Sequence, residues 1–364
     1  MFEDCYANLV IEMPGLSPSH MRLEDIQALK AAFGERLQEH TPLERFTAAR
    51  IGGPADFLLE VTSADELAQA ACLLWDLDLP FIVLGGGSNV LVSDAGVRDV
   101  VILNRARQVR FDELNLITPT VWAESGANFG MLARQAAQRG LAGLEWAAGI
   151  PGTVGGAVVG NAGAHGGDTA GNLLLAEILH HTEETGSVAS GRELPTFGSE
   201  RGNLRSLWPV EMMDFSYRNS AIKRQPMQSH THSQTQSRKH SIRLTHIVLS
   251  ALLRLERSDP QEVQARIDAF VAQRRRTQPP GASMGSMFKN PLGDYAGRLI
   301  EAAGLKGYRT GGAQISPLHA NFFINLGQAS AADIRSLIEL AQQTVADRFG
   351  VKLELEIELV GEWS

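Results

Sequence analysis

The stretch FIVLGGGSN, residues 81–89, is a short apolar run that ends in three glycines and two small polar residues. Four consecutive apolar residues before a turn signal are typical of a buried strand. The runs 55–61 and 100–103 have the same strand character, and the segment 63–74 between them has helical spacing after a capping sequence. This alternation of strands and helices predicts an α+β or α/β domain around residues 81–89.

A second glycine-rich stretch, GIPGTVGG, occupies residues 149–156. Because glycine has no Cβ, the backbone N–H groups of such a turn can approach a phosphate closely. Neither stretch is a dinucleotide fingerprint, since Val90 stands where a third glycine would be, and no glycine precedes Lys-Ser or Lys-Thr as in a Walker loop. Each stretch alone is equally well explained as a structural turn. Two of them, both after apolar strands, favour phosphate binding.

The length and composition exclude several classes of protein. A chain of 364 residues can form two or three domains, and its net charge of −8 argues against a general nucleic-acid-binding protein. The two cysteines, Cys5 and Cys72, are too few for a disulfide framework or a zinc site, which fits the cytoplasm. The N-terminus is acidic and no run of 18 uncharged apolar residues occurs, so we expect neither a signal peptide nor a membrane span.

Further elements follow from periodicity. Helices are predicted over residues 129–139, through 263–271, and from Ser330 to the stop signal at Gly350. Residues 352–359 alternate Leu or Ile with Lys or Glu, which predicts a half-buried strand.

The segment 225–241 is rich in Gln, Ser, Thr and His and has no apolar period. It separates two predicted strands, 214–222 and 242–253, so we interpret it as a mobile insertion at a hairpin tip. His230 and His232 have no third ligand at a usable spacing, and no metal site is predicted.

The stretch GSMFKNP, residues 285–291, brings a hydroxyl, an ammonium group and an amide together on Ser286, Lys289 and Asn290. Such a loop suits a ligand site, although a structural Asn-Pro turn is an alternative. No nucleophile-elbow pattern surrounds Ser286, which disfavours a serine hydrolase. Arg218 follows an aromatic segment and Glu356 belongs to the last predicted strand, where a surface charge would explain either residue. The residues alone leave these alternatives open.

Together, these stretches resemble the UDP-N-acetylenolpyruvoylglucosamine reductase (UDP-N-acetylmuramate dehydrogenase) family over roughly residues 42–361. Each matching piece is weak by itself, but their order is specific: 50–56, 84–91, 149–156 with 161–163, 217–220, 285–291, 313–325 and 353–361. The loop 162–169 is similar to the branch of the family that lacks a long tyrosine-bearing lid, so no lid tyrosine is assigned.

The resemblance implies an α+β fold, in which a vanillyl-alcohol-oxidase-type FAD-binding domain of two α+β subdomains accompanies a smaller α+β substrate-binding domain. The expected limits are an N-terminal extension at 1–40, subdomain 1 at 41–104 completed by the strand 351–364, subdomain 2 at 105–280, and a substrate-binding domain at 281–350.

The resemblance also implies an enzyme of peptidoglycan precursor synthesis, and so of cell-wall biogenesis, cell shape and cell division. Such an enzyme reduces the enolpyruvyl ether of UDP-N-acetylglucosamine to UDP-N-acetylmuramate, with NADPH as co-substrate and FAD held non-covalently. The expected partners are these small molecules, with neither nucleic acid nor membrane. One alternative is another flavin oxidoreductase of this fold, acting on a sugar or hydroxy acid. Those often tether FAD through a histidine in the glycine loop, and His165 lies just after the second stretch. Another alternative is a flavin- or nucleotide-binding regulator without turnover.

Site residues are carried over by motif. Ser286 would protonate the carbanion formed by hydride addition, while Arg218 and Glu356 stabilise it. A glutamate in that role implies a raised pKa. Contacts to the nucleotide are expected from Lys289, Asn290, His319 and Asn321. The FAD pyrophosphate would lie on the two glycine-rich stretches, through Gly85, Gly86, Gly87, Ser88, Asn89, Ile150, Pro151, Gly152, Thr153, Gly155 and Gly156.

Overall fold

The computed structural model describes residues 21–114, 118–181, 196–198, 203–224 and 244–363. The predicted insertion 225–241 lies outside these residues. The helices are α1 (Leu23–Phe33), α2 (Ala64–Asp76), α3 (Phe129–Gln138), α4 (Val154–Gly160), α5 (Thr169–Asn172), α6 (Pro260–Thr277), α7 (Ala296–Ala302) and α8 (Ala331–Phe349).

The strands are β1 (Leu37–Pro42), β2 (Pro54–Val61), β3 (Phe81–Leu84), β4 (Val90–Val92), β5 (Val97–Asn104), β6 (Val109–Asp112), β7 (Thr120–Glu124), β8 (Leu141–Ala142), β9 (Gly163–Ala164), β10 (Gly167–Asp168), β11 (Leu173–His181), β12 (Thr196–Gly198), β13 (Asn203–Pro209), β14 (His246–Arg254), β15 (Glu256–Arg257), β16 (Ala282–Ser286), β17 (Arg309–Thr310), β18 (Ala313–Ile315), β19 (Phe322–Asn325) and β20 (Glu358–Val360).

The first layer is the strand–helix–strand unit expected around residues 81–89. Its sheet has the order β1-β2-β5-β3, with β5 parallel to both β2 and β3. Helix α2 begins where the Ser63 side chain accepts a hydrogen bond from the Glu66 N–H at 3.1 Å. Helix α1 packs on the same core through the fully buried Leu29, and β1 pairs with β2. Residues 21–42 therefore contribute to this layer, while the domain limit at residue 40 stays a prediction.

The second layer is a six-stranded antiparallel sheet of order β12-β13-β11-β14-β7-β6, packed against α3, α4 and α6. The predicted strand 214–222 is wrong. Asp214 and Arg218 have left-handed backbones, with φ of 41° and 56°, and the N–H and C=O groups of Ser216 and Asn219 pair to close a tight turn. Extended pairing cannot continue through such residues. The strand predicted from residue 242 begins at His246.

The third layer is the sheet β16-β19-β18-β17 with α7 and α8 packed on it. Helix α8 starts with the predicted capping box at Ser330 and stops at Gly350, whose φ is 67°. These local signals act as predicted because a cap needs only neighbouring residues.

The C-terminal segment differs from the predicted strand over 352–359. Only Glu358–Val360 is a strand, parallel to β4, and Leu355 forms an isolated bridge with Phe288. The predicted burial is present at Leu353 and Ile357, which are 1% and 4% exposed. The segment thus joins the third layer to the glycine-rich turn after β3. The α+β class is confirmed, and among the described residues no helix is long and apolar enough to cross a membrane.

Candidate active site

The two glycine-rich stretches lie against each other. A Cβ at Gly85 would lie 2.6 Å from Thr153 Oγ1, and one at Gly86 would lie 3.0 Å from the Cα of Gly152. The Ser88 hydroxyl donates to the Pro151 carbonyl at 3.3 Å. Side chains at these glycines would separate the two loops, so the residue type is required for the approach.

The first stretch offers the free donors. The backbone N–H groups of Gly86, Gly87 and Ser88 donate to no acceptor in the part of the chain that the structure describes. In the second stretch, Gly155 N donates to Ser125 O at 2.8 Å and Gly156 N to Thr153 Oγ1 at 3.4 Å, which secures the start of α4. Free amide donors between two closely packed glycine turns suit a pyrophosphate. These residues therefore fit an FAD site.

The turn that carries Arg218 is anchored to the end of α4. The Ser220 hydroxyl, on a fully buried residue, donates to Val159 O at 2.7 Å. The amide of Asn161, which caps α4 with φ of 42°, donates to Ser216 O at 3.1 Å. The helix that begins at the second glycine-rich stretch therefore sets the position of Arg218.

Arg218 and Glu356 form an ion pair. Arg218 Nε lies 2.7 Å from Glu356 Oε1, and the two side chains are 24% and 15% exposed. The Nε–H does not point along a hydrogen bond, so the attraction is ionic. Partial burial strengthens such a pair because water screens it less. The guanidinium also lies over the ring of Tyr217, with its Cζ 5.5 Å from the centroid.

The backbone of Glu356 connects the remaining parts of the site. Its N–H donates to Met287 O at 2.9 Å, next to Ser286, and its carbonyl accepts from Asn89 Nδ2 at 3.2 Å. Ser286 ends β16 after Gly285, whose φ is 78°. Within the described ranges the Ser286 hydroxyl has no protein hydrogen-bond partner. The structure therefore brings Arg218 and Glu356 into contact and attaches the Ser286 loop and the first glycine-rich stretch to them.

Among the described residues, three cations act on the carboxyl group of Glu356. Burial raises the pKa of Glu356 above its usual value, although the charges of Arg218, Lys223 and Lys289 oppose that rise. Lys223 Nζ lies 3.4 Å from Glu358, and Lys289 Nζ lies 3.6 Å from Glu354. The sequence analysis did not select Lys223 as a site residue. The feature that could have indicated it is its position shortly after Arg218 in the chain.

Arg274 is a further residue that sequence reasoning missed, since the run of three arginines predicts only a helix end. Its side chain lies against Gly149, where a Cβ would be 2.7 Å from Arg274 Cδ. Burial lowers the pKa of Arg274, and the nearby charge of Arg218 lowers it further. Arg274 has no acidic partner within the described residues. A cation without a counter-ion, beside the second glycine-rich stretch, suits an electron-rich group of a ligand.

The four residues expected to contact the nucleotide, Lys289, Asn290, His319 and Asn321, differ in their burial and in the protein groups that they contact. Lys289 is partly exposed beside Glu354, and Asn290 Oδ1 accepts from Ala296 N at 3.1 Å. His319 packs edge-on against Phe322, and burial lowers its pKa. Asn321 is only 3% exposed, and both polar atoms of its amide bond to the backbone of Phe288.

Comparisons with known proteins show which family the chain resembles. Residues 277–360 match the family model of the UDP-N-acetylenolpyruvoylglucosamine reductase C-terminal domain, and residues 55–180 match that of an FAD binding domain. The UDP-N-acetylenolpyruvoylglucosamine reductase of Chloroflexus aggregans is 43% identical over 332 residues, which cover 91% of this chain and 100% of that protein. The Bacillus subtilis protein of the same name is 37% identical over 338 residues, covering 92% and 98%. The crystal structure of UDP-N-acetylenolpyruvylglucosamine reductase from Thermus caldophilus matches with a TM-score of 0.66 and 32% identity, covering 89% of this chain and 99% of that one.

Proposed function

The chain belongs to the UDP-N-acetylenolpyruvoylglucosamine reductase family, and from this premise we propose how its residues carry out that reaction. The protein is an FAD-dependent oxidoreductase. Its proposed reaction is the NADPH-dependent reduction of the enolpyruvyl ether of UDP-N-acetylglucosamine to UDP-N-acetylmuramate, in peptidoglycan precursor synthesis. We place it in the cytoplasm, in keeping with its two cysteines.

The observation that carries the proposal is the set of three contacts made by Glu356. Its carboxylate pairs with Arg218, its N–H bonds to the residue after Ser286, and its carbonyl bonds to Asn89 of the first glycine-rich stretch. One short segment thereby contacts a cation, the backbone next to the Ser286 hydroxyl, and the turn that we propose binds FAD. A binding protein without turnover has no need of all three.

The chemistry assigns each side chain a role. FAD held between the two glycine-rich stretches would, once reduced by NADPH, provide the hydride that the terminal alkene carbon of the substrate accepts. Negative charge then develops on the carbon beside the carboxylate and is delocalised into that carboxylate. Arg218 supplies fixed positive charge where this negative charge develops. The Ser286 hydroxyl donates its proton to the carbon, and a neutral hydroxyl is acidic enough to protonate so basic a carbanion.

Glu356 acts through its proton. A charged carboxylate beside a developing enolate would repel it, whereas a protonated one can donate a hydrogen bond. Burial raises the pKa of Glu356, which favours the protonated form. The free protein holds Glu356 as the carboxylate partner of Arg218, and the negative charge that the substrate brings would favour protonation of Glu356 in the complex.

An anaerobic absorbance titration tests the proposed reaction. NADPH should bleach the flavin band of the purified protein, and the enolpyruvyl nucleotide should restore it. UDP-N-acetylglucosamine, which has no alkene, is the matched control and should leave the flavin reduced. Bleaching by a sugar or hydroxy acid, with no response to the enolpyruvyl nucleotide, would support the alternative oxidoreductase instead.

A further inference from the structure

The pairing of β16 with β19 is interrupted just before Ser286. Ser283 pairs with Ile324 and Ser286 with Phe322, and a register shift separates these two pairs. Met287 N then donates to Asn321 O at 2.8 Å, which is the last backbone bond between the two segments. Because β19 begins at Phe322, no residue of β19 pairs with the backbone N–H and C=O groups of Phe288.

The side chain of Asn321 takes the place of that partner. Phe288 N donates to Asn321 Oδ1 at 2.9 Å, and Asn321 Nδ2 donates to Phe288 O at 2.8 Å. Phe288 is fully buried and Asn321 is 3% exposed, so water cannot satisfy these backbone groups. A carboxamide offers an N–H donor and a carbonyl acceptor, as a peptide group does, and so it extends the ladder by one residue.

The other side of the same loop is held by the segment that carries Glu356. Lys289 N donates to Glu354 O, and Glu356 N donates to Met287 O, both at 2.9 Å. Residues 287–289 therefore lie between the Asn321 amide on one side and residues 354–356 on the other. Ser286 comes directly before this clamped loop, so its distance from Glu356 depends on both sides.

We propose that Asn321 is a positioning residue, whose amide fixes the 286–288 backbone so that the Ser286 hydroxyl reaches the substrate carbon. The inference rests on the proposed function and replaces the role of nucleotide contact expected for Asn321. A misplaced catalytic group slows only the step in which it acts. The second half-reaction, in which substrate reoxidises the flavin, therefore depends on Asn321. The first half-reaction, in which NADPH reduces the flavin, does not.

Two variants and one matched control separate positioning from general stability. Asn321→Ala removes both bonds to Phe288. Asn321→Asp keeps the acceptor and loses the donor while it is charged, but a protonated aspartic acid can donate to Phe288 O again. Asn325→Ala is the control, because Asn325 ends the strand β19 that Asn321 directly precedes, is 9% exposed, and uses both polar atoms of its amide for backbone groups, among them those of Ala49 and Gly327. Its backbone pairs with Ala282, at the opposite end of β16 from Ser286, and its side chain bonds to Ala49 and Gly327 and not to Phe288.

Rapid mixing of each variant gives the two rates, and hydrogen exchange reports on residues 284–290. In Asn321→Ala we expect flavin reduction within a few-fold of wild type, reoxidation slower by on the order of 10²-fold, and loss of exchange protection at Phe288. In Asn321→Asp, reoxidation relative to wild type should recover as the pH is lowered and the buried carboxyl is protonated. Asn325→Ala should lose stability with both rates unchanged.

The inference is overturned if Asn321→Ala slows both half-reactions equally or neither, or if Asn325→Ala gives the same split. Should Asn321→Ala not fold, the pH recovery of Asn321→Asp decides, and a flat profile counts against the inference. Wild-type flavin that NADPH reduces but the enolpyruvyl nucleotide does not reoxidise would contradict the proposed function itself, a distinct outcome.

Discussion

Nε of Arg218 lies 2.7 Å from Oε1 of Glu356, although the two residues come from parts of the chain that meet only after folding. Arg218 is in a turn anchored to α4, and Glu356 is in the C-terminal segment bonded to Asn89 and Met287. The ion pair therefore forms only when the second layer, the third layer and the first glycine-rich stretch are all in place. A site of this kind is sensitive to changes in any of the three.

Gly87→Ala should lower the FAD content of the purified protein. Gly87 has φ of 58°, and a Cβ there would overlap the carbonyl oxygen of Phe46. Gly350→Ala is the matched control, since Gly350 has φ of 67° with no atom within 4 Å of its Cβ position. Both variants should lose about 1–2 kcal/mol from the left-handed backbone, but only Gly87→Ala should lose flavin. Equal ratios of flavin to protein absorbance in the two variants would remove the first stretch from the FAD site.

Acid or heat denaturation should release all of the FAD from the yellow protein. No histidine lies in either glycine-rich stretch. The nearby His165 ring is stacked on Phe270, with 4.3 Å between ring centroids. Filtration of the denatured protein measures the released flavin. Flavin that stays with the precipitate would indicate a covalent bond and favour the alternative oxidoreductase.

Flavin reoxidation by the enolpyruvyl nucleotide should slow as the pH rises through the raised pKa of Glu356. Burial raises that pKa, so the protonated form, which we propose is active, persists above the usual carboxyl range and is lost at higher pH. The same shift means that the favourable contribution of Glu356 to stability is present at low pH and lost as the pH rises. Stopped-flow rates across pH should give a sloping profile for wild type and a flat, slower one for Glu356→Gln. Glu339→Gln, at an exposed glutamate on α8 that pairs with Arg335, should keep the wild-type profile, and a slope retained in Glu356→Gln would refute the assignment.

Stability should fall when the pH is lowered, because of a histidine pair away from the active site. His246 faces His180 across β14 and β11 with ring centroids 5.5 Å apart, and burial lowers the pKa of His246 from 6.5 to about 4. A folded-state pKa below the unfolded value means that the unfolded chain binds the proton first, so stability is lost as the pH falls from 6.5 towards 4. The loss should be on the order of 3 kcal/mol. Urea midpoints should therefore drop less in His246→Gln than in wild type between neutral and acidic pH, and His40→Gln, an exposed site, should behave as wild type.

Local signals predicted the elements around residues 81–89 and the capped helix α8, because strand, cap and stop patterns depend on neighbours along the chain. The strand predicted over 214–222 was wrong because its aromatic alternation does not reveal the left-handed backbones of Asp214 and Arg218. Lys223 and Arg274 were missed for a related reason. Their place in the site is set by how the turn and α6 pack against other layers, and no spacing in the sequence encodes it.

Asn321 illustrates the limit of a motif. The resemblance selects the residue, but whether its amide meets a ligand or the backbone depends on the register shift between β16 and β19. The burial of Asn321 and its two bonds to Phe288 depend on tertiary structure. Sequence therefore indicated which segments meet at the candidate site, whereas the contacts of the side chains within them depend on tertiary packing.

The most direct test of the proposed mechanism is rapid-mixing measurement of both half-reactions in Ser286→Ala. If Ser286 delivers the proton, FAD binding and flavin reduction by NADPH should stay near wild type. Reoxidation by the enolpyruvyl nucleotide should slow by roughly 10² to 10⁴, or about 3–5 kcal/mol of barrier. Ser283→Ala, on the same strand, should leave both rates unchanged. Equal loss in both halves of the reaction, or no loss in either, would contradict the catalytic role of Ser286 and with it the proposed mechanism.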